Sequence, residues 1–192
     1  MKKVYCVIII CNLLVTLTYG QESYIKKRLN FKTGYSRYTT NKSVSSNGKI
    51  KPVTVGNYRI EANYGISNII ETGIYVGYSK FESFRMNWAD STFNFKDYST
   101  PFYGINCNFH LLPLIVKEDD FRFDLYISGK FGGLFFASPT SFFPTGSASE
   151  YGIGGGLSFY LWKHLGAYAE YTYGKYFFRD NTNFRYGLTF KF

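Results

Sequence analysis

Cysteine is nearly absent from this 192-residue chain, which carries only Cys6, Cys11 and Cys107. Two of the three fall in the N-terminal apolar stretch described below, leaving Cys107 alone, so neither an internal disulfide nor a cysteine metal cluster can form. Histidine is as scarce. His110 and His164 stand without a carboxylate at ligand spacing, which excludes a motif-based metal site. Charged residues make up 18% of the chain, below the roughly 25% of an ordinary soluble domain. Beyond residue 17 no apolar run approaches the roughly 20 residues of a membrane-spanning helix. What fills the space is aromatic: 20 Phe and 19 Tyr, with 19 Gly, a composition that favours strands and turns over helices.

The first 20 residues read as a secretory signal. Lys2 and Lys3 precede the apolar VYCVIIICNLLVTL, and the small residues Thr18 and Gly20 suit cleavage before Gln21. The organisation expected is therefore a signal peptide at 1–20 and one domain at 21–192. Removing Lys2 and Lys3 takes the formal charge from +9 to +7.

The dominant pattern is a period of two. In GNYRIEANYGI (56–66) Tyr58, Ile60, Ala62, Tyr64 and Ile66 alternate with Asn57, Arg59, Glu61 and Asn63. The same alternation recurs in RLNFKTGY, IIETGIYVGYSK, FYGINCNFHLL, FRFDLYISGKF, EYGIGGGLSFYL, LGAYAEYTYGKY and the closing NFRYGLTFKF. These are eight strands, each with one apolar face and one ionic or glycine-rich face. Their connections are mostly short at one end (67–68, 113–120, 162–164) and longer at the other (39–54, 82–97, 134–148), with a brief one near 178–182. That asymmetry predicts a transmembrane up-and-down β-barrel, all-β and antiparallel. A soluble barrel would carry its apolar face inward. Aromatics at the strand ends and glycine on the polar faces argue for the opposite arrangement.

With the polar faces inward, the bore receives Arg28, Lys32, Arg59, Arg122, Lys130, Arg185 and Lys191, together with Glu61, Glu71, Asp124, Glu150 and Glu170. Eight strands enclose an interior that side chains can fill. The expectation is an ion-pair network built on Arg59, Glu61, Arg122, Asp124, Glu170 and Arg185. Glycine is expected to make room for these long charged chains. GIGGG (152–156) lies within a strand, with no helix or Lys-Ser/Thr after it, and is therefore not a phosphate loop. Cys107 reads as a small apolar residue on the outer face. FESFRMNWADSTFNF (81–95) and FFASPTSFFPTG (135–146) are unusually aromatic for loops. Such loops can extend the sheet above a membrane, cover the barrel mouth or bind a partner. YTTNKSVSSNGKIKP (38–52) carries Lys42, Lys49 and Lys51, which could meet lipopolysaccharide phosphates.

The eight strands, and above all the terminal FRYGLTFKF, resemble the small eight-stranded outer-membrane barrels of the OmpA transmembrane-domain and OmpX type in Gram-negative bacteria. The resemblance covers residues 27–192. It implies an integral outer-membrane protein with periplasmic termini, a likeness to porins in architecture, no cofactor and a monomeric state. It implies that Phe192, Phe190 and Tyr186 form a signal read by the barrel-assembly machinery. The partners implied are outer-membrane lipids, lipopolysaccharide and a surface ligand at the loops, but not nucleic acid. The role implied is structural or adhesin-like, with a narrow ion or small-solute channel as the alternative. Some eight-stranded barrels are lipid A-modifying enzymes with His near the outer rim or on the lipid-facing wall. His110 and His164 map to the other end, so no enzyme activity is expected.

Overall fold

The computed structural model describes residues 25–40, 53–81, 84–88, 91–95, 99–116, 122–136, 146–162, 164–176 and 179–192. The expected signal segment lies outside them. Ten strands follow one another: β1 (Leu29–Thr40), β2 (Val53–Gly65), β3 (Ile70–Phe81), β4 (Phe84–Trp88), β5 (Ser91–Phe95), β6 (Ser99–His110), β7 (Phe123–Phe136), β8 (Gly146–Tyr160), β9 (Leu165–Tyr176) and β10 (Arg179–Lys191). Eight of them close into a barrel in the circular order β1-β10-β9-β8-β7-β6-β3-β2, and every pairing is antiparallel. The closed eight-stranded barrel expected from the alternation is therefore present. Closure leaves no free sheet edge, so main-chain groups pair around the whole ring.

The remaining pair, β4 and β5, forms a hairpin within the segment 82–97 that was expected to be loop. Its pairs keep the same sequence offset as the β3–β6 ladder. Lys80 stands opposite Ser99 in the β3–β6 ladder, and Phe84, four residues on, stands opposite Phe95. Phe84, Met86 and Trp88 thereby share a face of the ribbon with Phe93 and Phe95. The sequence signal was there: FRMNW and STFNF each alternate, on either side of two turn residues.

One end of the barrel carries the start of β1, the end of β10 and the connections 66–69, 111–122 and 161–164; the opposite end carries the connections at 41–52, 82–98, 137–145 and 177–178. We call these the terminal end and the loop end. At the terminal end Leu112–Leu114 forms a single 3-10 turn whose middle residue, Pro113, is buried. The segment before β1 folds across the mouth. Lys27 N donates to Gly65 O at 2.8 Å, Gly65 N donates to Arg28 O at 3.0 Å, and Ile25 is buried against Gly65.

Alternation sorts the side chains as the sequence reading expects. Outside stand Ile60, Ile74, Val76, Ile105, Ile127, Ile153 and Leu157, all exposed, with Ile74 at 62% and Ile153 at 64%. Large aliphatics so exposed on regular strands have no water-facing rationale and mark a wall built for lipid. Aromatics flank the aliphatic band, with Tyr58, Tyr78, Tyr103, Tyr151 and Tyr173 toward the loop end. Phe31, Tyr64, Phe123, Trp162 and Phe192 lie toward the terminal end. Inside, every carboxylate whose side chain is described is buried: Glu61, Glu71, Asp124, Glu150 and Glu170.

Candidate functional site: the filled bore

The bore is packed in layers. Nearest the loop end, Val55, Phe102, Leu134 and Ala148 are buried, and Phe102 and Leu134 pack with Tyr75 into an apolar plug. The Arg59 guanidinium lies over the Tyr75 ring at 4.0 Å and faces Phe102 at 5.1 Å. This stacking places a charge beside an apolar layer, with the ring faces taking part of water's role.

Below the plug is the ionic knot. Lys130 Nζ donates to Glu61 Oε1 at 2.8 Å and to Glu170 Oε1 at 2.6 Å. Arg185 Nη1 donates to the same two oxygens at 3.2 and 3.1 Å. Arg59 Nη1 and Asn106 Nδ2 reach Glu61 at 3.5 Å each. Glu61 comes from β2, Lys130 from β7, Glu170 from β9 and Arg185 from β10, so the knot joins strands across the bore. Two carboxylates facing two fully buried cations satisfy one another, as buried charge requires.

Closer to the terminal end, Lys32 Nζ lies 3.9 Å from the centre of the Tyr126 ring. Beyond it, His110 Nδ1 meets Asp124 Oδ1 and Oδ2 at 2.8 and 3.0 Å, and His110 Nε2 lies 3.5 Å from Glu71 Oε2. Asn108 donates to Glu71 at 2.9 Å. This histidine has carboxylates on both ring nitrogens, and Glu71 occupies the direction in which a nucleophile would stand. Lys191 lies over the Tyr160 ring at 4.2 Å. A small cleft with about 10 Å³ of room, close to one water's worth, is lined by Ile25, Arg28, Glu71, His110, Asp124 and Lys191.

The structure divides the six residues expected to form the network. Arg59, Glu61, Glu170 and Arg185 converge on the knot. Asp124 is buried one layer away on His110. Arg122 is not in the bore at all: it precedes β7 at the terminal rim, where its side chain is exposed. Its main-chain oxygen still accepts from Tyr160 N at 2.7 Å, so the ladder includes it, but the wall ends there and water solvates its charge. The residue missing from the six is Lys130, the cation with the shortest contacts to both glutamates. Its inward parity was legible; its position at the centre depends on the stagger of the strands.

Glycine makes room in the bore, but chiefly for rings. A Cβ on Gly156 would collide with the Tyr126 ring, and one on Gly104 or Gly132 with Tyr75. Gly34 lies against Tyr168 and Gly152 against Tyr176. Within GIGGG, Gly152 and Gly156 seat the rings of Tyr176 and Tyr126, whereas a Cβ on Gly154 would meet the main chain of β9. His164, at the terminal rim, approaches Lys191 O through Nδ1 at 2.7 Å and stacks on Phe192 at 5.9 Å. Phe192 also meets the edge of Phe31 at 6.3 Å, while Tyr186 stands beside Tyr35 and Phe184, so the expected assembly residues lie on the outer wall of β10. Cys107 is exposed on the outer wall of β6.

No protein-family model matches this sequence, and none of the curated proteins does. Among solved structures, the N-terminal β-barrel domain of Pseudomonas aeruginosa OprF is similar, with a TM-score of 0.53 and 11% identity, over 87% of this chain and 98% of that one. The attachment invasion locus protein Ail of Yersinia pestis is also similar, with a TM-score of 0.46 and 15% identity, over 88% of this chain and 100% of that one. The closed ring of eight antiparallel strands, apolar outside and ionic within, has the fold of the small eight-stranded outer-membrane β-barrels.

Proposed function

We propose that this chain is an integral outer-membrane barrel, with its termini in the periplasm and its loop end at the cell surface. Its role is structural and interactive, exercised through the loops in the manner of an adhesin. The observation that carries the reading is the partition of side chains: exposed aliphatics banded by aromatics outside, and all five described carboxylates inside. Such a wall is stable only in lipid. The β4–β5 ribbon supports the interactive part, because the loop end carries a paired hairpin of its own between β3 and β6.

The filled bore speaks against the channel alternative. An apolar plug, an ionic knot and the Ile25 segment succeed one another along the axis, and the cleft beside His110 has room for about one water. The doubly carboxylate-bound His110 speaks against a hydrolytic enzyme. Interaction with lipopolysaccharide and recognition of Phe192, Phe190 and Tyr186 by the barrel-assembly machinery belong to this same proposal, supported by the alternation that runs to the last residue.

Fractionation with gel mobility before and after boiling tests the placement. A membrane-embedded folded barrel migrates differently unboiled. Recovery in the soluble fraction with one mobility would overturn it.

A further inference from the structure

The turn that leads into β1 has a backbone its sequence does not favour. Arg28 N donates to Ile25 O at 3.0 Å, closing a four-residue turn in which Lys27 stands third with φ at 65°. Among the described residues, Lys27 alone has a positive φ without being glycine. Lys27 N donates to Gly65 O at 2.8 Å and Gly65 N donates to Arg28 O at 3.0 Å, so two residues of this segment oppose one residue of β2. That is the pattern of a β-bulge whose first residue is left-handed, a place usually taken by glycine. With a side chain there, Cβ is pressed toward the following carbonyl oxygen.

The bulge turns the chain across the terminal mouth. Ile25 is buried at 3% exposure and lines the cleft that also holds Arg28, Glu71, His110 and Asp124. Gly65 is its seat: the three atoms nearest a Cβ built there are the O, C and Cγ2 of Ile25. One buried side chain and the two bonds to Gly65 thus hold a strained backbone in place. Such strain persists where the surroundings over-determine it, and it gathers at clamps and switch regions. The next residue, Leu29, is tied to Phe192 by two main-chain bonds and belongs to the seam of the barrel. The segment can therefore lift as far as Arg28 without opening the ring.

We infer that Ile25–Arg28 is a lid, which opens on the terminal mouth while the barrel stays closed and lets water reach His110, Glu71 and Asp124. Lys27 and Arg28 are its hinge. The ionic knot and the apolar plug lie farther along the bore, so the open lid wets the mouth without making a channel. The lid follows from the fold and holds whichever side the terminal end faces.

Amide exchange followed by NMR on the refolded protein in detergent micelles tests it, together with the acylation of the two histidines by diethyl pyrocarbonate. His164, exposed at the same end, is the internal reference for His110. In wild type the Gly65 amide should exchange about tenfold or more faster than those of Arg59, Ile60 and Glu61 in the middle of β2. Ile25→Ala should speed exchange at Gly65 by about a further tenfold or more, leave the mid-strand amides unchanged and raise the acylation of His110 relative to His164. Lys27→Asn, better suited to positive φ, should slow exchange at Gly65. Gly65→Ala, whose added methyl meets Ile25, should expose His110 as Ile25→Ala does. Exchange of Gly65 at the mid-strand rate in wild type would overturn the lid. So would an Ile25→Ala effect spread equally over β2, or an unchanged His110 in both Ile25→Ala and Gly65→Ala. Each of these results would leave the proposed outer-membrane role standing, because that role rests on the outer wall.

Discussion

Leu29 and Phe192 exchange both of their main-chain hydrogen bonds, Leu29 N to Phe192 O at 3.0 Å and Phe192 N to Leu29 O at 2.8 Å. The last residue of the chain is therefore the final rung of the β1–β10 seam that closes the barrel. Deleting Phe192 removes two ladder bonds and its ring contacts with Phe31 and His164. We expect the deletion to cut the folded, heat-modifiable fraction severely and Phe192→Ala, which keeps the main chain, to cut it less. Arg122→Ala, at the exposed rim, should behave as wild type. Equal folded fractions for the deletion and wild type would refute the prediction.

The aliphatic band makes a second prediction. Ile74→Arg or Leu157→Arg should destabilise the barrel in lipid by about 2–4 kcal/mol, the cost of a cation near the bilayer midplane. Denaturant unfolding in vesicles measures it. Unchanged midpoints would mean that inside and outside have been exchanged.

The ionic knot makes a third. Glu61→Ala leaves Lys130 and Arg185 to share Glu170 and removes the carboxylate that Arg59 reaches, and removing one partner of a buried cluster costs about 3–5 kcal/mol. We expect that loss in unfolding experiments, with brief small currents in planar bilayers as the packing loosens. Wild type should show no large, stable conductance. A steady wild-type current altered by Glu61→Ala would favour the channel reading instead.

The seats make the fourth. The atoms nearest a Cβ on Gly156 all belong to the Tyr126 side chain. Gly156→Ala should therefore destabilise the barrel, and Tyr126→Leu in the same chain should recover part of the loss. A coupling of about 0.5–3 kcal/mol is expected between contacting residues. Strict additivity in the double-mutant cycle would show that the ring and the glycine are not in contact.

The strands and their faces were legible because alternation is a local property, and each strand states its own inside and outside. Contacts across the bore were not, since they depend on the stagger between strands that never pair. This is why Lys130 read as one cation among seven although it bridges both glutamates. That tyrosines occupy the glycine seats was hidden for another reason: Tyr126 stands opposite Gly156 and Tyr75 opposite Gly104 on paired strands, and alternation says nothing of the direction in which a ring turns. Gly73 shows the same limit. A Cβ there would collide with Ala62 O of the neighbouring strand and with Asn63, its partner in register. Arg122 was misplaced for another reason: parity carries no information on where a strand meets water. The β4–β5 hairpin was legible only as one alternative for its aromatic stretch, because its alternation is short.

The shared register of β3–β6 and β4–β5 sets a rule for how this surface can diverge. Opposed positions in both ladders keep one constant offset, from Lys80 opposite Ser99 to Phe84 opposite Phe95. A residue inserted into one arm alone would turn that arm over relative to the other and split the aromatic face. Insertions matched on both arms by an even number of residues would keep that face and only raise the tip. The height of this projection can thus drift in steps of two matched pairs while its orientation stays fixed, a form of inheritance in which a loop changes reach without changing the side it shows.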